Sequence, residues 1–121
     1  MNKLRFKTFV WPQNPHTCRE EFLREPVYVR NELGETVFSG MTQMKRTVTG
    51  SGAFFGEHAY ERFQALAELF AENSTGELIH PLWGTRVVWF TELEVTQEPR
   101  VDYVSYRFTF READANGGIP L

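Results

Sequence analysis

With 121 residues, 13 basic and 16 acidic side chains giving a formal charge of −3, and Cys18 as its one cysteine, the chain fits a single domain whose core closes without disulfides. The charges are spread along the length, so there is no cationic stripe for direct nucleic-acid binding, and no run approaches the roughly 18 apolar residues of a membrane span. The basic start through Lys3, Arg5 and Lys7 lacks the apolar stretch of a signal peptide, and a lone thiol suits a reducing cytoplasm.

Arg5 to Val10 reads as a short strand that stops at Trp11-Pro12-Gln13-Asn14-Pro15, where Pro12 and Pro15 remove ladder donors and impose a rigid corner. A second β region runs from about Arg19 to Arg30, interrupted at Pro26. It turns through Asn31-Glu32-Leu33-Gly34 and returns from Glu35 to Thr49. The two arms form a long hairpin that mixes apolar Val27, Val29, Val37, Phe38, Met41 and Met44 with charged Arg30, Lys45 and Arg46. That is more surface than one helix and two later strands can cover, so the hairpin is expected to meet another chain. Gly50-Ser51-Gly52-Ala53-Phe54-Phe55-Gly56 reads as a glycine loop leading into a helix, with Gly50, Gly52 and Gly56 serving backbone geometry.

The spacing predicts that helix over about 57–73. Ala59, Tyr60, Phe63, Leu66, Ala67 and Phe70 form one apolar stripe, opposite Glu61, Gln64, Glu68 and Glu72. Gly76 to Gly84 follows as a connection with a His80-Pro81 corner and Trp83. Thr85 to Thr96 reads as a strand with Val87, Trp89, Thr91, Leu93 and Val95 on one face. Arg86, Val88, Phe90, Glu92 and Glu94 form the other, half-exposed face. A turn at Gln97-Glu98-Pro99-Arg100 leads to a strand from Tyr103 to Arg111, which alternates cleanly, with Val104, Tyr106, Phe108 and Phe110 on one face. The predicted fold is α+β: mainly antiparallel strands in a split barrel or two-sheet sandwich, one packed helix and an extended hairpin. One domain spans 1–112, and 113–121 is expected to be a flexible tail.

The chemistry-bearing residues point away from catalysis. His16 and Cys18 form a single weak pair, with His58 and His80 elsewhere, where a structural zinc site wants about four such ligands in close pairs. Glu57 with Glu61 and Glu68 with Glu72 lie on the wet helix face, and Glu92 and Glu94 have Arg86 on their strand face, so solvation and charge pairing explain them. The Gly50-Ser51-Gly52 run lacks the Lys and Ser or Thr of a phosphate loop. No metal or cofactor is expected. Trp11, Trp83, Phe54 and Phe55 sit near corners, where aromatics either plug a β core or anchor a partner.

The order of Phe9-Val10-Trp11-Pro12-Gln13-Asn14-Pro15, the Gly50 to Gly56 block, Ala59-Tyr60 with Phe63 and Leu66, His80-Pro81 with Trp83, and Gln97 to Val104 before Tyr106 and Phe108 resembles small tail and baseplate proteins of phages and phage-like contractile particles. The resemblance covers about Phe6 to Glu112. The half from the helix through His80-Pro81 to the next strand is similar to the N-terminal domain of the phage DNA-circularisation family. It implies a tail-tube-like fold, no catalytic residue, and an assembly role at the tube–baseplate junction in contact with other tail proteins and copies of itself, with six-fold rings. It also implies formation in the bacterial cytoplasm followed by residence in a particle tail. Some relatives carry a peptidoglycan-binding module after this domain, which the chain up to Leu121 has no room for. The residues expected at partner contacts are Trp11 and the hairpin set Val27, Val29, Arg30, Val37, Phe38, Met41, Met44, Lys45 and Arg46. The alternative reading is a small ligand-binding module or enzyme with a pocket built on Trp11, Trp83 and the carboxylates.

Overall fold

Strands rich in aromatic and β-branched residues make up most of the computed structural model, which describes residues 3–113. In chain order they are β1 (Arg5–Phe6), β2 (Phe9–Val10), β3 (Thr17–Leu23), β4 (Pro26–Arg30), β5 (Thr36–Met41) and β6 (Lys45–Phe55), then helix α1 (Ala59–Ala71), and β7 (Thr75–His80), β8 (Gly84–Val95) and β9 (Tyr103–Glu112). Among the described residues seven strands form one antiparallel sheet in the order β2-β1-β7-β8-β9-β6-β3, and β4 and β5 pair only with each other. The expected α+β architecture, mainly antiparallel with two sheets and one packed helix, is what forms. The large sheet curls without closing, because Cys18 of β3 and His80 at the end of β7 line one cavity while the two strands remain unpaired.

The core fills the concave side of this sheet with rings. Phe90 stands 4.5 Å from Phe110, Phe6 stands 4.8 Å from Phe110, and Phe54 stacks on Tyr106 at 4.6 Å between ring centres. Each such pair adds about 0.5–1.5 kcal/mol beyond its buried area. Helix α1 lays Ala59 and Leu66 fully into this cluster and packs Phe63 and Leu69 against it. Phe70 meets the Phe90 ring edge-on at 5.0 Å. Tyr60, expected in the stripe, is exposed. It lies at the margin of the apolar arc, where Leu69 takes the packing place on the next turns. Asn73 ends the helix in the left-handed region, at φ 53°.

Three local expectations change. Arg5 to Val10 is a miniature hairpin, β1 to β2, folded at Lys7, whose φ is 53°. The Lys7 ammonium ties that turn to the helix end through Glu72 at 2.6 Å and Ser74 at 2.8 Å. Gly50, Ser51 and Gly52 lie inside β6, paired with β3 on one side and β9 on the other. Positions 50 and 52 take glycine because a Cβ on Gly50 would stand 2.4 Å from the Phe108 ring, and one on Gly52 would stand 2.8 Å from the Tyr106 hydroxyl. Gly56 does break the chain direction, at φ 103°. Thr75 to His80, read as a connection, is strand β7, with Gly76 leaving room for the Lys7 side chain.

In β8 a bulge at Thr91 shifts the pairing with β9, so the core face switches along the strand. Val88 and Phe90 point inward before it, and Leu93 packs on the core after it. The expected inward face holds only in the second half, and Val87 is exposed. Glu94 pairs across the ladder with Arg107 at 3.9 Å, and Glu92 accepts from the Thr109 hydroxyl. The tail expected after Glu112 lies outside the described residues from position 114 onward.

Trp11 is fully buried, and its indole N–H donates to the Tyr106 hydroxyl at 3.0 Å. It is therefore a core residue, which corrects its placement among partner contacts. The Trp11 amide donates to the Leu4 carbonyl at 2.9 Å, and the Asn14 side chain accepts from the Leu4 amide at 2.8 Å, so the corner at Pro12 folds back along β1 and drives the indole inward. Burial pushes the Tyr106 phenol up to about 12 from its ordinary 10.0, against the lowering effect of the Trp11 hydrogen bond. The fold holds the phenol neutral, so its contribution is fully present below the unfolded pKa and is lost as pH rises through the folded one. At ~1.4 kcal/mol per pH unit that loss is about 2–3 kcal/mol. Urea midpoints measured from neutral pH into that alkaline range should fall for the native chain and fall less for Tyr106→Phe. Equal slopes for the two would show that the phenol is not the group responsible.

Candidate functional site

The hairpin that begins with β3 and β6 outruns the sheet. At its base Phe22 pairs with Arg46 and Leu23 with Lys45, beyond the last β6–β9 partners, Thr47 and Arg111. The ladder then continues across the junction, where the Glu25 amide donates to the Thr42 hydroxyl at 2.9 Å and the Thr42 amide to the Glu25 carbonyl at 2.8 Å. Beyond it, β4 and β5 form a two-stranded arm. Strand alternation, adjusted for the bulge after Val27, puts Pro26, Tyr28, Phe38 and Met41 on one face and Val27, Val29 and Val37 on the other. Both faces are apolar and both are exposed. Tyr28 and Phe38, the latter 60% exposed, meet edge to face at 6.0 Å.

The arm tip is pre-shaped. The Asn31 side-chain oxygen accepts from the amides of Leu33 at 3.0 Å and Glu35 at 2.9 Å, and Gly34 takes φ 82°, which a residue with a Cβ adopts only under strain. Leu33 is held at the apex with 82% of its surface in water.

Of the residues expected to meet partners, the structure brings Val27, Val29, Arg30, Val37, Phe38 and Met41 together on the arm, with Met44 exposed at its root. Lys45 is half-buried at that root. Arg46 is committed within the chain: its guanidinium lies 3.3 Å from Glu20 and 3.4 Å from Glu112, packs over the Phe22 ring, and keeps only 13% exposure. It fixes the base of the hairpin to the end of β9 instead of facing outward. Sequence reasoning passed over Tyr28 and Leu33, although alternation along β4 and the position of Leu33 between Asn31 and Gly34 mark both.

At the other end of β3, Leu4, Asn14, Pro15, Cys18, His80, Pro81 and Leu82 line a cavity of about 320 Å³. His80 lies flat on Trp83, with ring centres 4.3 Å apart and planes 8° apart, and its Nδ1 accepts from the Leu82 amide at 3.0 Å. Burial lowers the His80 pKa, with Glu20 opposing, so the ring is neutral and carries its proton on Nε2. Burial, and secondarily Glu20, raises the Cys18 pKa and keeps the thiol protonated. Such a thiol is a weak nucleophile, and among the described residues Asn14 and His80 are the polar side chains that share its cavity. Pro12 and Pro15 build the corner beside this cavity, while His80 and Pro81 form part of its wall and Trp83 stacks on His80. Among the described residues no three His, Cys, Asp or Glu side chains come together as a metal site, and no helix is long and apolar enough to cross a membrane.

The family model described as "DNA circularisation protein N-terminus" matches residues 28–88, half of the chain, from Tyr28 on the arm through α1 and β7 to Val88 in β8. The chain belongs to this family. The match takes in the arm as well as the stretch from the helix through His80-Pro81 into β8. No curated protein matches the chain. Among solved structures, a chain from the "Virion of native gene transfer agent (GTA) particle" aligns with a TM-score of 0.55 and 18% identity, over 93% of this chain and 92% of that one. A chain from the "Tail of empty GTA particle computed with helical refinement, C6 symmetry" aligns with a TM-score of 0.50 and 18% identity, over 84% and 78% respectively. At that identity the likeness is one of fold.

Proposed function

We propose that the chain is a structural subunit of a phage or phage-like tail, placed at the tube–baseplate junction and acting through protein–protein assembly. The observation that carries this reading is the β4–β5 arm, which exposes Val27, Tyr28, Val29, Val37, Phe38 and Met41 on two faces and, among the described residues, pairs with no other strand. A ribbon apolar on both sides is unfavourable in water and favourable between neighbours. Repeating one contact around a ring covers every such ribbon. Family membership and the fold shared with chains of tail-bearing particles, one of them of C6 symmetry, support this reading and a six-fold arrangement. On it, the partners are copies of the chain and other tail proteins, the role is assembly rather than catalysis, and the subunit passes from the bacterial cytoplasm into the particle tail.

Removing Asn31 to Gly34 with the adjoining strand tips should leave the seven-stranded body folded, with its melt intact, and abolish incorporation into particles. Particles that take up the truncated chain at the native level would sink the proposal.

A further inference from the structure

Among the described residues, the two large apolar side chains with the greatest exposure are Leu33 and Leu82, in the turn between β4 and β5 and the turn between β7 and β8. Leu33 is 82% exposed at the tip of the arm, and Leu82 is 88% exposed on the lip of the cavity beside Cys18. We infer that the arm tip of one copy seats Leu33 in the cavity formed by Leu4, Pro15, Cys18, His80 and Leu82 of a second copy. This rests on the assembly reading above and names where the arm docks.

Reach comes first. At about 3.3 Å per residue, the chain runs roughly 16 Å along β3 from Cys18 to Leu23 and roughly 13 Å more along β4, all of it leading away from the cavity. The Glu25 and Thr42 hydrogen bonds keep the ladder continuous across the junction, so a chain does not fill its own cavity. Donor and acceptor at opposite ends make the contact head-to-tail, the kind that closes a ring or extends a stack.

Size and charge match the same occupant. The cavity, about 320 Å³, is roughly twice the ~150 Å³ apolar hole that takes up benzene, which leaves room for an isobutyl group with its turn backbone. Its lining is mostly Leu, Pro and the protonated Cys18. The tip is acidic: Glu32 and Glu35 flank Leu33 and Gly34. On the cavity side, Glu20, the carboxylate that acts on Cys18 and His80, is paired with Arg46 at 3.3 Å. Lys3 is held at the cavity's corner by donating to the Pro12 carbonyl at 2.7 Å. An arm arriving tip first brings Glu32 and Glu35 toward Lys3, beside an apolar hole.

Cys18 gives the test a built-in reporter. In Leu33→Cys the introduced thiol of one copy would meet Cys18 of the next, and a disulfide forms only when the two Cβ atoms approach within about 4.5 Å. Copper–phenanthroline oxidation of this full-length variant, both concentrated in solution and within particles, should yield a ladder of dimers, trimers and higher species on non-reducing gels. An equal mixture of the native chain with the Leu33→Cys/Cys18→Ser double variant should stop at dimers, because each chain then offers one reacting partner. Adding Leu82→Asp to Leu33→Cys should remove the ladder while leaving the melt unchanged, since Leu82 is a surface residue. No ladder in either setting overturns the inference, as does cross-linking that persists in Leu33→Cys/Cys18→Ser alone, which would mean tip against tip. If the arm deletion abolishes incorporation while Leu33→Cys gives no ladder, the assembly role stands and the cavity is not its receptor.

Discussion

Trp11→Ala should destabilise the domain by about 3–5 kcal/mol, a large share of the 5–15 kcal/mol that holds a domain of this kind together. The indole is completely buried, packs at 5.5 Å from the Phe108 ring and at 4.9 Å edge-on to Phe9, and supplies the hydrogen bond received by Tyr106. Truncation removes those contacts and leaves a hole lined by Phe9, Tyr106 and Phe108. These belong to β2 and β9, held by ladders that do not collapse readily. Trp11→Phe should lose less, since it keeps most of the volume and gives up the hydrogen bond, worth roughly 1 kcal/mol. Urea melts of both variants give the comparison. A Trp11→Ala protein within ~0.5 kcal/mol of the native chain, the range of ordinary surface changes, would return Trp11 to the outside and to the partner contacts.

What could be read from the sequence follows from how local each signal is. The strand β9 was legible because Val104, Tyr106, Phe108 and Phe110 alternate without interruption, and α1 because its apolar stripe keeps helical spacing for over three turns. The arm was legible for two reasons: Asn31 and Gly34 carry the turn, and apolar residues occupy both faces where a body strand would show one. Trp11 was not, since its fate depends on a hydroxyl 95 positions away. Beside Pro12 it has the same local chemistry whether it anchors a partner or fills a core. The β8 face was misassigned in its first half because one extra residue at Thr91 inverts a period of two, and nothing in Val87 to Val95 announces a bulge. The cavity was out of reach altogether. It is assembled from Leu4 just before β1, the Pro15 corner, β3 and the β7–β8 turn, and only the curl of the sheet brings these together.

Gly50 and Gly52 make the same point with a measurable consequence. In sequence they look like loop glycines, chosen for freedom, yet neither is among the positive-φ residues; both sit in regular strand with a neighbour where a side chain would be. Gly50→Ala is expected to cost about 2–3 kcal/mol, at the upper end of overpacking, because its methyl would stand 2.4 Å from Phe108 Cζ and 2.7 Å from the backbone oxygen of Thr17. The ring has some freedom to turn. The carbonyl has little, since Thr17 is paired with Ser51 in the adjacent strand. Relief therefore requires β3 to move off β6, which loosens the hairpin from which the arm projects. Shortening Phe108 to Leu in the Gly50→Ala background should restore only part of the stability, because it removes the ring contact and leaves the carbonyl contact in place. A denaturant melt of the single and double variants separates the two. Full rescue by Phe108→Leu would mean that the ring alone demands glycine, and a Gly50→Ala chain as stable as the native one would mean that position 50 is not in the β3–β6–β9 ladder.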